Sequence, residues 1–164
     1  MPTVTSRIPA LIDYLVNLFT TAATIGAATP PVTVYDGPPT TALDAPLKLF
    51  VGLLDPDSPA AEPAAESVQS WAAIGRLGRD EMITVHCAAE AWAGTDDMRT
   101  VRVSVMGIVA AVEAVMQADT TQFGGNILFP DPGIAAIALL QNNTQTGAVA
   151  RAMFDLVFKA RIGG

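Results

Sequence analysis

The side chains best suited to chemistry are few. One histidine and one cysteine occur in the chain, and they are neighbours, His86 and Cys87. Successive strand residues point to opposite faces, so this pair cannot grip one metal ion or serve as nucleophile and base. The expectation is a histidine on the polar sheet face and a cysteine in the core. A Ser-His-acid triad would need His86 as its base, and no Gly-x-Ser-x-Gly elbow is present. Two carboxylate pairs, Asp55/Asp57 and Asp96/Asp97, suit acid–base work or a hard cation in principle. The first lacks the further oxygen ligands and glycine turn of a calcium loop. The second complements the positive end of a helix dipole. Gly124-Gly125 and Gly75-x-x-Gly78 lack the flanks of a phosphate-cradling loop and read as turns. Trp71 and Trp92 fall on candidate paired strands, where they can pack across the sheet. A nucleic-acid platform would need Arg and Lys beside them. The chain therefore reads as no enzyme, with no cofactor and no metal. A catalytic site shared between subunits is the one arrangement left open.

The elements that carry these residues follow from periodicity. Ile8, Leu11, Ile12, Leu15, Leu18 and Phe19 form one helical stripe, with Ser6 as cap, Pro9 in the first turn and Gly26 as stop. Eight of the 12 prolines lie between Pro30 and Pro63, which excludes a long helix there. Residues 32–36 and 47–54 read as strands. Residues 55–66, with three prolines and four acidic residues, read as an exposed, mobile loop. Residues 68–74 and 82–92 form a hairpin across a turn at 75–80, with Ile83, Val85, Cys87, Ala89 and Ala91 on one face. Met98, Val101, Val105, Ile108, Val109, Val112, Val115 and Met116 make a second helix, capped by Thr95. Residues 148–161 alternate, with Arg151, Met153, Asp155, Val157, Lys159 and Arg161 on the mixed face. Residues 134–141 are their partner strand, joined through 142–147. A short helix after Asp131-Pro132 fits the same apolar run. The fold class is α+β: one domain over 1–164, a mainly antiparallel sheet with two amphipathic helices packed on one face.

Composition narrows the partners. Hydrophobic residues make up 51% and charged residues 15%, below the roughly 25% of an ordinary soluble domain. The uninterrupted apolar stretches at 133–140 and 106–112 fall short of the ~20 residues of a membrane span. No signal-peptide pattern opens the chain, so the expectation is a soluble, unprocessed protein with no membrane partner. So few charges leave surface that burial against partners would cover. The net charge of −7 argues against a phosphate-binding stripe and hence against sequence-specific nucleic-acid binding. An acidic surface suits a conduit along which DNA slides.

In order, the layout is an amphipathic helix, strands with an acidic proline-rich loop, a long hairpin, a capped helix and a last long strand. It resembles the tail-terminator (tail completion) proteins of long-tailed bacteriophages, and more loosely their head–tail connector and neck proteins. The residues carrying the resemblance are Arg7 to Leu15 (RIPALIDYL), Val32 to Gly37 (VTVYDG) and Ala150 to Phe158 (ARAMFDLVF). No catalytic residues carry over. The resemblance implies a homo-oligomeric ring, typically of about six copies, in closed symmetry. Such a ring caps the tail tube, ends its growth and offers a docking face to the head. Its partners would be itself, the tail-tube protein and head–tail connector proteins. Its place would be the virion tail or neck, after assembly in the bacterial host cytoplasm. Subunit contacts are expected through Arg151, Asp155, Lys159 and Arg161. A lumen- or tube-facing loop is expected at Asp55, Asp57, Glu62 and Glu66. The alternatives are another connector, neck or tail-tube protein, or a small non-viral ligand-binding α+β domain.

Overall fold

The computed structural model describes residues 5–40, 44–72, 78–128 and 133–163. In chain order the elements are α1 (Ile8–Thr21), β1 (Thr33–Asp36), β2 (Leu47–Val51), β3 (Ala65–Trp71), β4 (Arg79–Trp92), α2 (Met98–Ala118), a four-residue left-handed turn α3 (Gln122–Gly125), β5 (Gly133–Thr144) and β6 (Gly147–Ile162). The class is α+β, and the six-stranded sheet is mostly antiparallel: β1 pairs parallel with β2, and the other ladders are antiparallel. Its order is β1-β2-β4-β6-β5, with β3 also on β4.

β4 and β6 form the centre, paired from Arg79↔Ile162 to Trp92↔Val149. On the other side of β4, β2 and β3 share one lane, opposite Cys87 to Ala91 and Arg79 to Val85 respectively. The chain leaves that lane between them, and both departures are pinned at His86. Its carbonyl accepts from the Gly52 and Leu53 amides, and its own amide donates to the Ala64 carbonyl. The sequence analysis expected strand to residue 54; the strand ends at Val51 because Gly52 takes φ +76 and turns the chain outward.

From Ile83 onward one face of the central strands is apolar; before it the same face of β4 carries the buried Glu81. Leu49, Val51, Ile83, Val85, Cys87, Ala89, Ala91, Ala150, Ala152, Phe154, Leu156 and Phe158 join Leu11, Leu15 and Phe19 of α1 and Val101, Val105, Ile108 and Val112 of α2 in a single cluster. The alanines on β4 and β6 let α2 lie close. By length and composition alone α2, at 21 residues, is apolar enough to cross a membrane, although no single uninterrupted run is. Its buried stripe belongs to this core and packs on β6 and β4.

The helix starts are held differently from expectation. α1 does have its proline in the first turn, but its N-cap is Arg7, without a side-chain cap; Ser6, one residue earlier, accepts from the Ile8 amide and donates to the buried Glu81 of β4. α2 is capped by Asp97, whose carboxylate accepts from the Thr100 amide, not by Thr95. Thr95 instead spends its carbonyl on the Ala148 amide. Beyond α2, Phe123 takes a left-handed conformation at φ 53. Its ring is buried edge-on against Phe158 at 5.2 Å and Tyr14 at 5.9 Å, which offsets the backbone cost.

Residues 134–141 are strand, not helix, and the strand runs on through the polar Gln141–Thr144 to a tight turn at Gln145-Thr146. The two tryptophans do not pack across the sheet. β3 covers only the first half of β4, so Trp71 lies opposite Arg79 and Trp92 opposite Val149, at the two ends. Of the turn expected at 75–80, residues 75–77 lie outside the described residues, as does Asp131-Pro132, while Arg79 and Asp80 are not turn but the start of β4, paired with Trp71 and Ser70.

Candidate functional site

The sheet face opposite the apolar cluster carries an ionic lattice built by cross-strand register. Antiparallel pairing sets Glu90 opposite Arg151, His86 opposite Asp155 and Asp80 opposite Arg161, while β2 brings Lys48 opposite Glu90. Each pair is joined. Lys48 Nζ donates to Glu90 at 2.6 Å, and Arg151 donates to the other Glu90 oxygen at 2.5 and 3.2 Å. His86 Nδ1 lies 2.6 Å from Asp155, and Arg161 Nε donates to Asp80 at 2.8 Å. Lys48, His86 and Arg151 are each buried, at 7–8% exposure.

The acidic loop reaches into this lattice. Arg151 Nη1 donates to Asp57 at 2.7 Å and to Asp55 at 3.3 Å, so one guanidinium serves three carboxylates. Glu66 stands 3.6 Å from His86 Nε2, with its side chain 68% exposed, and Glu62 is exposed. The first two acids of the expected loop are thus tied to the sheet and Glu62 is exposed, but Glu66 is not in the loop: it stands on β3, opposite Thr84, because the strand begins at Ala65.

Electrostatics follow the geometry. The bond from Arg151 holds the Asp57 carboxyl below its usual range, against partial burial. Burial pushes Glu90 upward, but its bonds from Lys48 and Arg151 outweigh this and lower it. Burial likewise opposes the charge on Arg151, and its bonds to Asp57 and Glu90 outweigh that and raise it. These shifts mark saturated ion pairs, which perturb titration as strongly as active sites do.

Clefts of about 380 Å³ flank the lattice, one lined by Asp57, Glu90, Gln141, Asn142 and Arg151, the other by Asp44, Lys48, Glu90 and Trp92. Of the charged groups in their walls, Lys48, Asp57, Glu90 and Arg151 are bonded to one another, and no buried side-chain polar atom among the described residues lacks a partner. No group of three or more metal-ligating side chains is assembled among the described residues. Cys87 is fully buried and its thiol is pushed up to about 12, so it is no nucleophile at neutral pH.

The four expected interface residues sit as follows. Arg151, Asp155 and Arg161 are engaged within the chain, and the Lys159 carbonyl accepts from the Leu128 amide. A different surface was not foreseen. β5 is the edge strand of the sheet, and all but one of its 12 residues are exposed. It carries no charge and no proline, and Ile137, Leu139 and Leu140 are 49%, 40% and 48% exposed. Register puts Ile137 and Leu139 on the face of Phe154 and Ala152, and Leu140 on the face of Arg151. α2 reaches β5 through a hydrogen bond from Arg102 to Gln141, and the half-exposed Met106 follows one turn later on that side. A long, uncharged edge strand, apolar here from Gly133 to Leu140 and irregular in register only between Ile134 and Ala136, is a template for pairing with another chain. The signal was present in the run GIAAIALL, which alternates nowhere between apolar and polar residues.

The chain matches no protein-family model, and no curated protein matches it significantly.

Proposed function

We propose that this chain is a non-enzymatic structural protein that assembles with copies of itself, and that its assembly is a ring ending the tail tube of a long-tailed bacteriophage. The observation that carries the assembly reading is β5, an uncharged apolar edge strand left open in a protein of net charge −7. The order of helix, acidic loop, paired long strands, capped helix and closing strand supports the tail-terminator assignment within that class. In this reading the ring occupies the growing end of the tube, blocks further subunits and offers its other side to the head–tail connector.

The ionic lattice serves as scaffold. It holds the acidic loop to the sheet by Asp55 and Asp57 and leaves Glu62 outward, on a segment that would face the lumen or the tube. Another neck, connector or tail-tube role uses the same surfaces and differs only in what they touch. A ligand-binding domain would use the cleft beside Arg151, where Asp57, Glu90 and Arg151 are already bonded to one another.

Size-exclusion chromatography with light scattering over a range of concentrations, followed by negative-stain microscopy, tests the reading. Closed rings with a central hole are expected. A strict monomer that also fails to bind tail tubes lacking their terminator would sink it.

A further inference from the structure

Residues 53–63 leave the lane shared by β2 and β3 and return to it at nearly the same point. Gly52 turns the chain outward at φ +76, and a Cβ built there would lie 3.4 Å from the Ala64 Cβ. Both ends are fixed to one residue: the Gly52 and Leu53 amides donate to the His86 carbonyl, and the His86 amide donates to the Ala64 carbonyl. A base closed in this way is the geometry of an Ω-loop. A segment so rooted can move without pulling on the strands that carry it. Between its ends lie Pro56, Pro59 and Pro63, which fix φ and keep the segment stiff.

Its ties to the sheet are few. Among the described residues, every hydrogen bond between 54–63 and the sheet comes from Arg151, to Asp57 at 2.7 Å and to Asp55 at 3.3 Å. The two sides of that guanidinium differ. The Glu90 side chain is 13% exposed, whereas that of Asp57 is 76% exposed. Water and salt reach the pair with Asp57 far more than the pair with Glu90, so the two do not weaken together. Near the start of the segment, Leu54 lines a groove of about 200 Å³ with Met153 of β6 and Ala136, Ile137 and Ala138 of β5. Leu54 thus stands against the flank of the open edge.

From this geometry we infer that residues 53–63 form a hinged strap, closed by the Asp57–Arg151 pair, that swings about Gly52 and Ala64 as one stiff piece while Glu90 keeps Arg151 in the sheet. Opening lifts Leu54 from its groove and bares apolar surface beside β5. The device belongs to the single chain and does not depend on the assembly reading.

The test places spin labels on the full chain at Ala61→Cys, in the strap, and at Gln117→Cys, on α2. Both sites are exposed, and the buried Cys87 thiol takes no label. Labelled chain is diluted with unlabelled chain, so that double electron–electron resonance reads distances within one copy. Asp57→Ala is compared with Glu62→Ala, which removes the same charge from an exposed position of the strap and leaves the latch intact. One narrow distance is expected in the parent and in Glu62→Ala at low salt. A second population is expected in Asp57→Ala, severalfold larger than any in the other two. Raising the salt should bring that population into the parent and change Asp57→Ala little. Equal distributions in Asp57→Ala and Glu62→Ala would overturn the latch, and a broad distribution in the parent would overturn the closed strap. Loss of the sheet signal by circular dichroism in Asp57→Ala would overturn the hinge, since the pair would then hold the fold and not the strap.

Discussion

At Glu90 one carboxylate sits between two cations, and the loop acids complete the charge around Arg151. Removing one member leaves others buried without their partner, which costs more than the intact pair contributes. Arg151→Ala should therefore lower stability by roughly 3 kcal/mol, read as a fall in the urea midpoint. Arg161→Ala, at an exposed pair, should leave that midpoint unchanged. The same groups set the acid limit. Glu81, Glu90, Asp57 and Asp119 all have folded-state values below their ordinary ones. For Glu81, Glu90 and Asp119 burial pushes upward and the bonds they accept prevail; for Asp57 the bond from Arg151 leads. Depressed values mean that the unfolded chain binds protons first, so the stabilisation is whole above about pH 5 and drains as pH falls through and below about 4. A urea midpoint that held constant down to pH 3 would contradict this. The pairs were legible in outline: one antiparallel register brings His86–Asp155, Glu90–Arg151 and Asp80–Arg161 together. The reading of the sequence missed it because it set residues 82–92 beside 68–74 and 148–161 beside 134–141, and never the two long strands beside each other.

At the scale of elements, close approach fixes what the turns can be. A Cβ on Gly147 would stand 1.9 Å from the Ala93 carbonyl oxygen, where the Ala93 amide donates to the Ala148 carbonyl just beyond the end of the β4–β6 ladder. Gly147 also takes φ +133, so Gly147→Ala should cost more than about 1 kcal/mol, visible in thermal unfolding. Gly26 is a second such contact, with Thr20 carbonyl oxygen at 2.0 Å, but it is not the helix stop the sequence suggested: α1 ends at Thr21, with Ala22 as its C-cap. The β5 edge makes the opposite prediction. Leu139→Lys lies on an exposed position, so the monomer's melting should move little, while the mass measured by light scattering should drop toward the monomer. Helix and strand identities were legible because their periods differ. The ends were not, because Asp97 and Thr95 both suit a cap and the local geometry decides between them: Asp97 takes the Thr100 amide, and the Thr95 hydroxyl accepts from the Asp97 amide.

For the whole molecule, net charge and edge chemistry pull apart. With −7 on each copy, association is opposed at long range, and the proposed contact gains nothing from charge. Salt screens that repulsion, over about 8 Å at physiological strength, without weakening apolar burial. Assembly through β5 should thus strengthen as salt rises from low to moderate concentration. Assembly through ion pairs at Arg151, Asp155, Lys159 and Arg161 should weaken instead, and light scattering across a salt series separates the two.

The sequence by itself determined the α+β class, the two apolar stripes, the placement of Cys87 in the core and His86 on the polar face, and the lack of a local catalytic motif. These follow from periodicity and residue type, which act over a few neighbours. Only the tertiary structure decided that β2 and β3 share a lane, that Arg151 and Asp155 are spent inside the chain, and that GIAAIALL stands at an open edge. Those outcomes depend on which strands become neighbours. An apolar run reads the same whether it is buried on both sides or open on one, and the difference lies in what the rest of the chain leaves uncovered.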